Sequence, residues 1–237
     1  MTKPTFADKF LPVQHEFRHL FEGGPEEHMR ALYEQVANWC DLTDPVEELG
    51  LKTTPKFTLA EMGSSPHTLR LLQFLVRLKA PKRALEIGAF IGVSGIHIAA
   101  ALPPGGKLVT IEKFDHFAEI AQANFDASGL ADRIELRLGD ALELLDDLAA
   151  DGKFDMIFLD GNKENYADYF EALDPLLAPG GLVITDDVLF HGDALNQPPR
   201  TEKGAGTRRF LDVIKARDDY FKILLPLSNG IYLAQKR

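Results

Sequence analysis

Hydrophobic residues in this chain come as short continuous runs that alternate with stretches of helical spacing. Ala84, Leu85 and Ile87 form a run that stops at Gly88, as a strand buried on both faces should. Gly92 and Gly95 then open a helix whose apolar residues Val93, Ile96, Ala99 and Ala100 recur at helical spacing. Pro103-Pro104-Gly105-Gly106 ends that helix, and Lys107 to Ile111 reads as the next strand. The stretch from Arg83 to Glu112 is therefore a βαβ unit with a glycine-rich first turn, which brings backbone close to a ligand.

The same alternation continues toward the C-terminus. Asp115 starts a helix to about Ser128, Gly129 closes it, and Arg133 to Leu138 is a third strand. Ala141 to Ala149 is a short helix, and Phe154 to Leu159 is a fourth strand that runs into Asp160. Asn165 to Ala178 reads as helix, Pro179-Gly180-Gly181 as a turn, and Leu182 to Thr185 as a fifth strand ending in Asp186-Asp187. Ala205 to Arg217 is another helix; Tyr220 to Leu225 and Ile231 to Ala234 are two strands joined like a hairpin through Pro226 to Gly230. The order predicts an α/β fold: a doubly wound, Rossmann-like, seven-stranded sheet with its last strand antiparallel.

Residues 1–80 carry no strand signal. Pro25 to Leu42 has Met29, Leu32, Val36 and Trp39 at helical spacing with Glu26 and Glu27 in the first turn, and Pro66 to Lys79 repeats the pattern with Leu69, Leu72, Phe74 and Leu75. Between them, Lys52 to Ser65 includes Thr53, Thr54, Met62, Ser64 and Ser65 and is placed to act as a lid or as a plain surface connection. One domain over 1–237 is expected, with 1–80 as an N-terminal helical cover and lid and 81–237 as the ligand-binding α/β core.

Charge and composition narrow the partners. A net charge of -10 disfavours a nucleic-acid partner, which needs clustered Lys and Arg. The single cysteine, Cys40, excludes an internal disulfide and a multi-cysteine zinc site, and is expected to be a buried small apolar residue. No basic-then-apolar leader and no apolar run of about 18 residues is visible, so a cytoplasmic protein without a membrane partner is expected.

The glycine spacing speaks to the ligand. A dinucleotide turn places its second glycine two residues after the first, where this chain has Phe90. Gly88, Gly92 and Gly95 thus disfavour a phosphate cradle and a nicotinamide dehydrogenase, and suit a nucleoside without phosphates whose ribose hydroxyls bind Glu112. Such sheets bind ligands beyond the carboxyl ends of their strands. Acids stand at four of those ends: Glu112, Asp140, Asp160, and Asp186 with Asp187 beside it. If the fourth and fifth strands are neighbours, Asp160, Asp186 and Asp187 converge and repel unless a cation lies among them; oxygen donors suit Mg²⁺, Mn²⁺ or Ca²⁺. The competing reading is that some of these acids only cap helices or loops. Lys163 follows Asp160 in LDGNK and either balances the acids or, near a divalent cation, accepts a proton. His191 is close to the cluster in sequence and reads as a loop or pocket residue.

The motifs LEIGAFIGVS, TIEKF, GDALELL, FDMIFLDGNKENY and PGGLVITDDVLFHG together resemble the cation-dependent class I S-adenosylmethionine O-methyltransferases of the catechol and caffeoyl-coenzyme A type. The resemblance runs from about Met62 to the C-terminus. It implies that Glu86, Gly88, Ser94, Glu112, Asp140 and Ala141 line the S-adenosylmethionine site, with Glu112 on the ribose and Asp140-Ala141 at the adenine edge. It implies Met62 on the lid beside the cofactor, Asp160, Asp186 and Asp187 as metal ligands (Asp160 also reaching the reacting centre and cofactor), and Lys163 as the catalytic base. The family usually has Asn where this chain has Asp187. The acceptor implied is a small catechol-like or vicinally oxygenated molecule, and a homodimer is expected. Methylation of a hydroxylated tRNA base is the alternative, kept open by Arg200, Lys203, Arg208 and Arg209; a non-catalytic nucleotide-binding scaffold is the third. Gly192 to Thr207, polar with Pro and Gly, is expected to be a mobile loop on the substrate side.

Overall fold

Seven strands form a single sheet in the order β3-β2-β1-β4-β5-β7-β6 in the computed structural model, which describes residues 25–57, 59–150 and 152–237. They are β1 (Arg83–Ile87), β2 (Lys107–Glu112), β3 (Ile134–Leu138), β4 (Phe154–Leu159), β5 (Leu177–Thr185), β6 (Tyr220–Leu225) and β7 (Ile231–Lys236). β1 to β5 are parallel to one another, and β7 runs antiparallel to both β5 and β6. The order reverses between β1 and β4, the place where open sheets of this kind bind ligands beyond the carboxyl ends of their strands.

The chain divides into two compact units, Met1–Leu42 and Thr43–Arg237. In the first, α1 (Pro25–Trp39) forms as its spacing predicts; Leu32 and Trp39 are exposed, and the side chains of Glu26 and Met29 lie outside the described residues. Cys40 is also exposed, which corrects the expectation that it is buried: it follows the end of α1, and no described apolar residue encloses it. The second unit holds α2 (Pro45–Leu49), α3 (Leu59–Met62), α4 (Pro66–Lys79), α5 (Val93–Ala101), α6 (Asp115–Ser128), α7 (Ala141–Ala150), α8 (Tyr166–Leu173) and α9 (Glu202–Lys215). None of the described helices is long and apolar enough to cross a membrane.

Strand alternation assigns the two faces of the sheet. Ala84, Met156, Phe158 and Ile184 meet Leu72 and Val76 of α4 and Ile98 of α5 on one face. Leu85, Ile87, Ile157, Leu159 and Val183 meet Tyr166, Ala167 and Phe170 of α8 and Phe210 and Ile214 of α9 on the other. Full burial of each Val, Leu, Ile, Met or Phe side chain among them is worth roughly 1.5–3 kcal/mol. α4 starts where Ser65 accepts a hydrogen bond from the Thr68 backbone N–H and Pro66 takes the first helical position.

The largest boundary differences from the sequence reading lie on either side of Pro175. α8 ends at Leu173 and a 3-10 turn, Asp174–Leu176, follows, because Pro175 cannot continue the helical ladder. β5 then begins at Leu177, and Pro179-Gly180-Gly181 is an irregularity inside that strand, not a turn before it: pairing with β4 jumps from Phe154↔Leu177 to Met156↔Leu182.

Candidate active site

The glycine turn after β1 is shaped by what passes it. Gly88 has φ +100, and a Cβ there would lie 2.5 Å from the Asp160 carbonyl oxygen; the Asp160 N–H donates to the Ile87 carbonyl at 2.9 Å. The turns after β1 and β4 are therefore joined backbone to backbone, and only glycine permits that approach. Phe90 adopts φ +50, and its ring leaves the turn to pack edge-on against Phe117 of α6 at 4.9 Å between centroids. The Phe90 backbone N–H is thereby free to donate to Glu112 Oε2 at 2.8 Å, while the Phe114 N–H donates to Glu112 Oε1 at 2.9 Å. Glu112 is buried, and desolvation raises its carboxyl pKa against the pull of those N–H groups. Each oxygen keeps a lone pair for a further donor, as two ribose hydroxyls would need.

Glu86 lies deeper, fully buried on β1. Burial pushes its carboxyl up to about 7, against hydrogen bonds from Ser94 and Thr110 that lower it. Thr110 Oγ1 donates to Glu86 Oε2 at 2.6 Å, and Glu86 Oε1 is buried without a partner. An orphaned carboxyl oxygen beneath a glycine turn fits a ligand that brings its own donors. Asp140 behaves differently: Oδ2 accepts from Lys113 Nζ at 2.8 Å and Oδ1 from the Leu142 N–H at 3.0 Å, and Lys113 first of all holds its pKa low. Its side chain thus caps α7, and Ala141 beside it is buried. Met62, the last residue of α3, is 44% exposed.

Asp160, Asp186 and Asp187 stand at the carboxyl ends of the neighbouring strands β4 and β5, within electrostatic reach of one another. Lys163 is the cation among them: Nζ is 2.6 Å from Asp160 Oδ1 and 3.6 Å from Asp187 Oδ2. Asp186 Oδ1 accepts the Asp187 N–H at 2.8 Å, and Ser64 Oγ donates to Asp186 Oδ2 at 3.3 Å. Tyr166 OH donates to the Asp186 carbonyl at 3.0 Å. Burial raises the pKa of Asp160 and of Asp186, each helped by neighbouring carboxylate charge. Burial also works against the Lys163 ammonium, but the Asp160 carboxylate leads the charges that outweigh it and hold its pKa well above the lysine range.

The fit of these residues to a metal can be judged from their chemistry. Among the described residues, no group of three or more His, Cys, Asp or Glu side chains is gathered as in a metal centre. Lys163 instead carries the compensating charge. The donors are nevertheless all hard oxygens, Asp187 Oδ1 is buried without a partner, and one ammonium faces three carboxylates. That surplus of negative charge fits a divalent cation. Asp187 sits at φ +61, a conformation that Asn and Asp adopt more readily than most residues.

Three features of the site were not singled out by sequence reasoning. Ser64 ties the residues before α4 to Asp186, and the neighbouring Ser65 Oγ lies 3.1 Å from Ser228 Oγ on the β6–β7 turn. Asn124 of α6, buried, receives the Lys52 N–H at 2.7 Å and donates to the Lys52 and Ile91 carbonyls, so it fastens the start of the 52–65 segment to the glycine turn. Asp193 gathers the 192–201 loop: its carboxylate accepts from the Arg200 and Thr201 N–H groups, the Thr201 hydroxyl and the Asn196 amide. The stretch Gly192 to Thr207 is accordingly not one loop. Its second half is the start of α9, N-capped by Thr201. His191, at φ +53, lies edge-on to Phe190 at 5.2 Å and belongs to no metal-binding group among the described residues.

Comparison with known proteins agrees with this architecture. A family model described as O-methyltransferase matches residues 39–237. A catechol O-methyltransferase of Niastella koreensis is 38% identical over 160 residues, covering 65% of this chain and 72% of the relative. A caffeoyl-CoA O-methyltransferase of Eucalyptus globulus is 33% identical over 203 residues, covering 81% of this chain and 82% of the relative. Among solved structures, the O-methyltransferase from Bacillus cereus in complex with SAH superposes with a TM-score of 0.77 at 29% identity, over 87% of this chain and 97% of that one. The chain belongs to this O-methyltransferase family and is an S-adenosylmethionine-dependent enzyme.

Proposed function

We propose that the protein transfers the methyl group of S-adenosylmethionine to one of two vicinal oxygens of a small catechol-like acceptor, with a divalent cation at Asp160, Asp186 and Asp187. The observation that carries this is the placement of an undercompensated acid cluster against the glycine turn, through the Gly88–Asp160 backbone contact. Glu112 holds the ribose hydroxyls and Glu86, with Ser94, the polar end of the cofactor; Gly88, Asp140 and Ala141 line the remaining wall, with Met62 over it. When bound, the cation orients two acceptor oxygens and makes one of them more acidic. Lys163, which Asp160 and Asp187 hold as the ammonium here, would be favoured as the neutral amine beside that positive charge, and its free amine would take the hydroxyl proton to become the ammonium again. The rigid sheet ends hold donor and acceptor in line, which can supply roughly 7–11 kcal/mol of the barrier.

A small acceptor is preferred over tRNA because part of the basic group is already engaged. Arg209 binds Asp168 at 2.7 Å and Arg208 binds Asp212 at 3.3 Å, while Lys203 lies over the Phe190 ring at 5.7 Å. These contacts leave less uncommitted positive charge in this group to track a phosphate backbone. Turnover of catechols and hydroxylated nucleosides with labelled cofactor tests both readings. We expect methylated catechol, loss of turnover in chelator, and recovery with Mg²⁺ or Mn²⁺. Full turnover in chelator on protein shown metal-free by elemental analysis would sink the metal assignment.

A further inference from the structure

α9 opens with two glycines, Gly204 and Gly206, both buried. Glycine is among the poorest residues inside a helix, and neither of these has the positive φ that would demand it. Space is the remaining reason. A Cβ on Gly204 would overlap the Asp193 carboxylate; one on Gly206 would overlap the Lys163 carbonyl oxygen and lie 2.5 Å from the Glu164 Cα. Two residues apart in a helix, the glycines face different ways. Gly204 faces the loop after β5, and Gly206 faces the turn after β4 that carries Lys163.

The residues one turn further along repeat the division, as helical spacing requires. On the Gly206 side, Arg209 Nη2 donates to the Glu164 carbonyl at 3.1 Å and to Asp168 at 2.7 Å. Phe210 packs edge-on to Tyr166 at 6.0 Å, and Tyr166 donates to the Asp186 carbonyl. On the Gly204 side, Arg208 Nη1 donates to the Ala194 carbonyl at 3.3 Å. The first turns of α9 are thus wedged between the two loops that bear the acid cluster.

We propose that Gly206 is a positioning residue for Lys163. Its missing side chain sets how deeply the turn Lys163–Asn165 seats against α9, and so how far Lys163 Nζ reaches toward Asp160 and the acceptor. This rests on the reading of Lys163 as the group that handles the acceptor proton.

The test uses the full-length enzyme with S-adenosylmethionine, Mg²⁺ and a catechol acceptor. Gly206→Ala should lower kcat by about 10- to 100-fold, the scale of a misplacement near 1 Å, while the acceptor KM stays put. Affinity for S-adenosylhomocysteine, read by calorimetry, should not change. In a Lys163→Met background the same substitution should cost nothing further. In lysine-selective carbon-13 NMR of the ligand-free protein, the Lys163 resonance, assigned by its loss in Lys163→Arg, should shift in Gly206→Ala. Full kcat in a folded Gly206→Ala, an equal loss in both backgrounds, or an unmoved Lys163 resonance overturns the proposal. Lys163→Met with wild-type kcat instead overturns the role given to Lys163, and this inference with it. Should Gly206→Ala fail to fold, Arg209→Gln probes the same turn from an exposed position. A severalfold drop in kcat supports the proposal, and unchanged kcat overturns it.

Discussion

Asp174, at one end of the sheet, and the acids of the candidate site, at the other, are treated in opposite ways. At the amino-terminal end, Asp174 before β5 has every oxygen answered: Oδ1 accepts from Tyr220 OH at 2.6 Å and Lys236 Nζ at 2.7 Å, and Oδ2 from Arg217 Nη2 at 2.8 Å. Burial alone would raise its pKa, but these donors win and hold it low. At the carboxyl-terminal end, Glu86 and Asp187 each keep a buried oxygen without a partner, and Glu86, Glu112, Asp160 and Asp186 all have raised pKa values. One end joins α8, β6 and β7 into a stable edge. The other stores electrostatic cost that Lys163 relieves only in part, as expected where function and stability make different demands.

The sharpest way to break this contrast is Asp160→Asn. Turnover should fall by about 10³-fold or more, the scale for losing a group that acts in the transition state, while the thermal midpoint barely moves. A large fall in midpoint with activity retained would place Asp160 with the structural carboxylates.

Glu86→Gln comes next. A carboxyl whose pKa is raised on folding contributes most below its unfolded value near 4.5, and that contribution is lost as pH rises through about 7. The shift corresponds to roughly 3 kcal/mol at full effect. Urea unfolding of the ligand-free proteins should therefore find Glu86→Gln gaining on the wild type between pH 5 and pH 8.5, and cofactor affinity should drop. A pH-independent difference between the two would show that Glu86 is not held in this way.

Asp174→Asn probes the opposite end. The depressed pKa means its stabilisation is complete above the ordinary carboxylate range and is lost as pH falls through the folded value. The variant should lose about 2 kcal/mol at pH 7, less near pH 3, with kcat unchanged. A kcat that fell with stability would join the two ends. The smallest expected effect is that of Asp187→Asn, which keeps the left-handed backbone at φ +61 but removes one negative charge. Mg²⁺ affinity should weaken by about tenfold, as loss of one ligand charge implies. Unchanged affinity would mean Asp187 points elsewhere when the enzyme is loaded.

Much of the fold was legible because β1, β2 and β4 are apolar runs that stop at Gly or an acid, a pattern buried parallel strands share. β5 was harder: Pro179-Gly180-Gly181 looks like a turn locally, and only pairing with β4 makes it a bulge. The start of α9 was hidden for the opposite reason. Gly204 and Gly206 argue locally against a helix, and their value lies in what packs on them. In the site, the acids at strand ends were readable, since the sheet dictates where such positions converge. Ser64 on Asp186, Asn124 on Lys52 and Asp193 on Thr201 were not, because each joins segments whose proximity exists only after folding.

The contact between Gly88 and the Asp160 carbonyl has an evolutionary consequence. It welds the turns after β1 and β4, the walls proposed above to face donor and acceptor, into one piece of backbone, independent of side-chain identity except for the requirement of glycine at position 88. The segment before α4 is tied to the end of β5 by Ser64 on Asp186, and the loop after β5 is gathered on itself by Asp193; these are side-chain contacts, which can be exchanged singly. A lineage built on this frame can change which molecules enter without altering the distance over which a methyl group must travel, so new acceptors are reached by small steps, whereas changing position 88 disturbs both walls at once.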